Sequence, residues 1–194
     1  MRAHVMAAAA GLLVVSTAIA GNETEAPKSW VFEPSTFIGI NLGGDFLTEL
    51  PECSADSETT EPRKLCRIST PIENSYRVDG IPYLGFGGRC DVEVRLLGAK
   101  VASIRLSGDS EDISRVTQYL RKNYDEPTSI ESSQSTTASG AWFTTEVLRW
   151  DGSSTSIELR RKEDDFGVYQ VTLTNLRTAP KIADEGATHP SDGT

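Results

Sequence analysis

The sequence predicts an α+β domain: a hairpin, one helix and then a three- or four-stranded meander form an antiparallel β-sheet, with the helix packed on one face. Three observations carry this. Val92, Val94 and Leu96 alternate with Glu93, Arg95 and Leu97, and Ala102, Ile104 and Leu106 alternate with Ser103, Arg105 and Ser107. Gly98-Ala99-Lys100 separates the two runs, and period-two alternation on both sides of a glycine turn is a hairpin with one buried face. Ile113, Val116, Leu120 and Tyr124 then recur at helical spacing. Finally, Ala141 to Trp150, Thr155 to Lys162 and Val168 to Asn175 read as strands joined by the turn dipeptide Asp151-Gly152 and the turn Asp164-Asp165-Phe166-Gly167.

The chain opens with Met1-Arg2-Ala3-His4, a short positive start, followed by an apolar run from Val5 to Val15. Ala18-Ile19-Ala20 supplies the small-x-small pattern of a secretory cleavage site. The run is too short to cross a bilayer, so residues 1–20 are expected to be a signal peptide cleaved after Ala20. Gly21 rather than Cys follows the cleavage point, which disfavours a lipoprotein. The mature chain is expected to be periplasmic or secreted, with no membrane span, because no second apolar run of about 18 residues exists.

Residues 21–36 read as a flexible N-terminal segment, residues 37–176 as a single α+β domain, and residues 177–194, with Pro180 and Pro190, as a disordered tail. A short strand is expected near Phe37–Leu42, and Glu52 to Gly88 is loop-rich, with Tyr76-Arg77-Val78 as a short strand and Gly85-Phe86-Gly87-Gly88 as a flexible turn. Asp109 or Ser110 caps the helix, Glu111 and Asp112 suit its positive first turn, Arg121 and Lys122 suit its negative end, and Pro127 stops it. Thr128 to Gly140 is Ser/Thr-rich and fits an edge strand or a loop.

Cys53, Cys66 and Cys90 are the cysteines, and export favours one disulfide among them. Cys53 and Cys66 bracket a polar segment that gains about 3 kcal/mol from closure, so this pair is preferred over Cys66–Cys90 and Cys53–Cys90. The net charge of −9 opposes binding to phosphate backbones, so nucleic acid is not an expected partner, whereas a basic protein is.

The two histidines are His4, in the signal peptide, and His189, in the expected tail. A folded domain without histidine lacks Ser-His-Asp and Cys-His catalysis and His-based zinc sites. The acidic run Glu163-Asp164-Asp165 lacks the alternating spacing of a calcium loop and reads as a solvated turn. No metal or other cofactor is therefore expected, and no catalytic residue is assigned. Trp142, Leu148 and Trp150 share one face of their strand and form a possible interface, with packing by the N-terminal segment as the alternative.

The order of parts resembles small exported proteins of Gram-negative bacteria. The matching motifs are Ile38-Gly39-Ile40-Asn41-Leu42-Gly43, Leu50-Pro51-Glu52-Cys53, the hairpin, and the helix ending Leu120-Arg121-Lys122-Asn123-Tyr124-Asp125-Glu126-Pro127 before a Trp-ended strand. Such proteins often carry Gly after the Tyr, where this chain has Asp125. The resemblance implies a periplasmic binding role, such as an inhibitor or immunity protein. The expected function is thus non-enzymatic capture of a basic protein partner. An envelope-assembly accessory role and a carboxylate-based hydrolase are the alternatives.

Overall fold

The computed structural model describes residues 30–54, 64–86, 90–136, 140, 142–161 and 167–179. It is mostly antiparallel β-sheet with one main helix. The chain opens with a two-stranded ribbon, β1 (Thr36–Phe37) and β2 (Ile40–Asn41), and a single helical turn, α1 (Phe46–Glu49). Ile38 (φ 47°) and Gly39 (φ 87°) make the two-residue connection of the ribbon, which needs positive φ at both positions. Gly39 fits without strain, whereas Ile38 is a β-branched residue in the left-handed region.

Four strands follow as a meander: β3 (Cys66–Ser69), β4 (Ser75–Asp79), β5 (Asp91–Leu97) and β6 (Lys100–Asp109). The helix α2 (Ile113–Tyr124) separates them from a second meander: β7 (Ser129–Thr136), β8 (Trp142–Asp151), β9 (Thr155–Arg161) and β10 (Val168–Asn175). β10 pairs with β6, so the two meanders fuse into one eight-stranded sheet of order β3-β4-β5-β6-β10-β9-β8-β7. The expected meander thus has four strands, and Thr128 to Gly140 supplies its edge strand.

The alternation read in the central hairpin is present, with one change. A register shift at Arg95/Leu96 pairs Leu96 with Val101 and leaves Ala102 as an extra residue, so Val101 and Ala102 are both buried. Val92, Val94, Ile104, Leu106, Ile157, Leu159, Tyr169, Val171 and Leu173 join Val116, Leu120 and Tyr124 of α2 in one hydrophobic core. Asp109 is the capping carboxylate: it accepts from the Glu111 N–H (2.9 Å) in the turn that leads into α2.

From Trp30 onward the N-terminal segment is tied down, where the sequence reading expects residues 21–36 to be flexible. Trp30 is buried, and its indole donates to the Tyr124 carbonyl (2.8 Å). Phe86, read as part of a flexible turn, is buried against the rings of Tyr119 and Tyr169. Burying an aromatic side chain outweighs the flexibility that its flanking glycines offer. Residues 1–29 and 180–194, with the expected signal peptide and most of the expected tail, lie outside the described residues.

The two long edges of the sheet differ. The outer side of β3 is occupied by the preceding chain, where the Arg67 N–H donates to the Pro51 carbonyl (2.8 Å) and the Cys53 N–H to the Arg67 carbonyl (3.0 Å). A Cys53–Cys66 disulfide fastens this segment to β3, and Cys90 is free. At the opposite edge, β7 pairs with β8 over eight successive residues, and no described strand lies on its outer side.

Candidate functional site

A groove of about 510 Å³ lies between α2 and the strands at the β7 end of the sheet. Its helix side is Ile113, Ser114, Thr117, Gln118 and Arg121, and its strand side is Ile130 of β7, Thr144, Glu146 and Leu148 of β8, and Arg161 of β9. The helical residues recur at three- and four-residue spacing, one face round from the buried stripe of Val116, Leu120 and Tyr124. Even-numbered residues of β8 share one side of the sheet. They pass from fully buried Trp150 through buried Leu148 to exposed Glu146, Thr144 and Trp142. The core therefore ends at Leu148, and the polar side chains beyond it leave an open trough with an apolar floor.

Trp142, Leu148 and Trp150 do share one side of β8, but they sit at different depths. Trp150 is fully buried, and its indole donates to the Asp125 carbonyl (2.8 Å). Leu148 is buried in the groove floor. Trp142 is 74% exposed, and Ile130, directly opposite Leu148 on β7, is 51% exposed. Ile130, Gln118, Arg121 and Arg161 line the groove without a signal in the sequence. Polar side chains on a helix flank, and one isoleucine in a serine-rich run, carry no periodic signal.

The groove is electrostatically mixed. Arg121 pairs with Glu126 (3.2 Å), while Glu146 brings a carboxylate to the strand side. The opposite side of the sheet is also mixed. Arg77, Glu93, Arg105, Thr172, Glu158 and Arg149 lie in one row across six strands. Along this row Arg105 bonds to Glu93 and Arg149 to Glu158.

One clear electrostatic feature is structural. Glu33 accepts hydrogen bonds from the backbone N–H groups of Ser153 (2.6 Å), Ser154 (2.7 Å) and Thr155 (3.0 Å) in the β8–β9 turn. The hydroxyls of Ser153 and Ser154 donate to it as well. Desolvation raises its pKa, but the hydrogen bonds from Ser154 and Ser153 outweigh that and bring it down to about 2. A side chain at Gly152 would collide with this carboxylate, so the glycine of Asp151-Gly152 makes room for Glu33.

Two further carboxylates also have structural roles. Asp109 caps, and Asp112 pairs with Arg115 (3.2 Å). Burial raises the Cys90 thiol pKa, which opposes its ionisation at neutral pH. Among the described residues no three His, Cys, Asp or Glu side chains cluster to hold a metal ion. Glu163-Asp164-Asp165 and both histidines lie outside them. No described helix is long and apolar enough to cross a membrane, which, with the disulfide, is compatible with an exported protein.

No family model, no curated protein and no solved structure matches the chain. The resemblance to small exported proteins of Gram-negative bacteria therefore rests on its short motifs alone.

Proposed function

We propose that the protein is an exported, non-enzymatic binding module, freed from its signal peptide by cleavage after Ala20, with α2 lying across one face of its sheet. It captures a segment of a partner protein in the groove between α2 and β8. The observation that carries this reading is the groove itself: an apolar floor of Ile113, Ile130 and Leu148, bordered by Gln118, Arg121 and Glu146, with Trp142 exposed beyond it. Such a combination of apolar anchor points and a polar rim suits a protein surface. The partner is basic overall, because the chain carries −9, and opposite net charge accelerates encounter. An inhibitor or immunity role is the form of binding that this reading favours.

Site-specific photo-crosslinking tests it. A crosslinking side chain is placed at Ser114 in the groove or at Arg77 on the opposite sheet face, and the protein is exposed to its native extracytoplasmic fraction at low and high salt. The expected result is one basic protein crosslinked from Ser114, less at high salt, and not from Arg77. Crosslinks from Arg77 alone would show that the groove is not the binding surface.

A further inference from the structure

We propose that two copies of the chain associate edge to edge through β7, in antiparallel register about Ser133. The first support is the contrast between the sheet's two ends. The β3 edge is covered by residues 51–53 and fastened by a disulfide, whereas β7 offers an edge eight residues long with no strand on its outer side among the described residues. Exposed edges are usually blunted by Pro, Lys or a bulge. β7 contains neither residue, and its register with β8 is unbroken.

The second support is self-complementarity. Only registers that pair residues of equal parity keep side chains on matching faces. With Ser133 opposite its own copy, Ile130 falls opposite Thr136 of the second copy. Thr136 is itself the β8 neighbour of Trp142. Adjacent strands lie about 4.8 Å apart, so Trp142 of one copy reaches over a threonine to Ile130 of the other. Two exposed large apolar side chains, Ile130 at 51% and Trp142 at 74%, are covered together, and twice by symmetry. Charge agrees with this register. Glu131, the one charged residue of β7, pairs with Arg149 in its own sheet and falls opposite residue 135 of the second copy. A register centred on Glu131 would set two carboxylates face to face, and one centred on Ser132 would put Ile130 against Gln134. Ile130 also lines the groove, so a segment held there competes for it, and the association is tested on the purified protein alone.

Sedimentation velocity on the purified protein over a concentration series tests the association, with Ser133→Lys as the variant. Ser133 is exposed, and its replacement sets two lysines opposite each other at the two-fold axis. The wild type is expected to show a reversible monomer–dimer equilibrium, and Ser133→Lys to weaken it at least about tenfold. A second experiment does not depend on that variant folding. In a Cys90→Ala background, Ser133→Cys is expected to yield a disulfide-linked dimer on mild oxidation, and Ser132→Cys is not. A wild type that stays monomeric at every concentration overturns the proposal, as does a dimer that survives Ser133→Lys. Equal crosslinking from positions 132 and 133 overturns the register.

Discussion

Trp30 and Trp150 donate their indole N–H groups to successive backbone carbonyls, those of Tyr124 and Asp125, each at 2.8 Å. A helix leaves its last carbonyls without intrahelical donors, and a buried helix end must find them elsewhere. Here one comes from the N-terminal segment and one from β8, so the end of α2 is fixed by two distant parts of the chain. Trp30→Phe keeps the ring and removes one donor. It is expected to cost about 1–2 kcal/mol in urea denaturation. Trp142→Phe, at an exposed position, is expected to stay within about 0.5 kcal/mol of wild type. Equal losses from the two variants would remove the special role of Trp30.

The same helix end holds a strained residue. Asp125 has φ 68° and ψ −169°, a region that glycine occupies freely and other residues enter at a cost. Asp125→Gly is expected to raise stability by about 1 kcal/mol, the relieved strain exceeding the entropy that glycine loses on folding. Asp125→Ala removes the same carboxylate and keeps the strain, so it should bring no gain. Thermal unfolding of the two variants separates backbone strain from charge.

The central hairpin and α2 were legible in the sequence because one face of each is buried, and burial writes a period into the residues. The strand β3 was not legible: Cys66-Arg67-Ile68-Ser69 is short and polar, and its place comes from pairing with β4 and from the Cys53–Cys66 bond. The anchoring of the N-terminal segment was equally hidden. Its two fastenings, Trp30 to Tyr124 and Glu33 to the β8–β9 turn, join residues about a hundred positions apart, and no local pattern records such a contact. For the groove, the strand pattern makes Leu148 a surface candidate. Its burial, and the exposure of Trp142 on the same strand face, come from contacts between distant parts of the chain that no local pattern records.

The preferred cysteine pairing is the one present, Cys53 with Cys66 across a sequence separation of 13. Thiol titration of the folded protein should therefore find one free cysteine, Cys90, and find it slow to react, because burial holds its pKa up. Replacing both Cys53 and Cys66 with alanine opens the loop and is expected to cost about 3 kcal/mol. The loss should also loosen the cover of the β3 edge, because the covalent tie is gone and the hydrogen bonds at Arg67 and the Arg67–Glu52 ion pair are left to hold residues 51–53 to it. Hydrogen exchange at Arg67 should rise in that variant while exchange in the central strands β6 and β10 changes less. Uniform acceleration across the sheet would mean that the disulfide acts on global stability alone.

Glu33 gives the fold a defined acid sensitivity. Its carboxyl has an ordinary pKa of 4.5, and hydrogen bonding in the folded state lowers it to about 2. A group whose pKa falls on folding adds stability above its unfolded value and loses that contribution as pH drops toward its folded value. Glu33→Gln keeps the size and removes the charge. At neutral pH the variant is expected to be less stable by about 1–2 kcal/mol, the range for hydrogen bonds to a charged group at a partly exposed site. The gap should hold down to about pH 5, narrow as pH falls below 4.5 and close near 2. Ser154→Ala should shift the same window upward by withdrawing one donor, the hydroxyl, while leaving the backbone donors in place. Urea denaturation of the three proteins across this pH range decides the matter. A gap between wild type and Glu33→Gln that stays constant to pH 2 would mean that side-chain shape, and not the charge, holds the N-terminal segment to the turn.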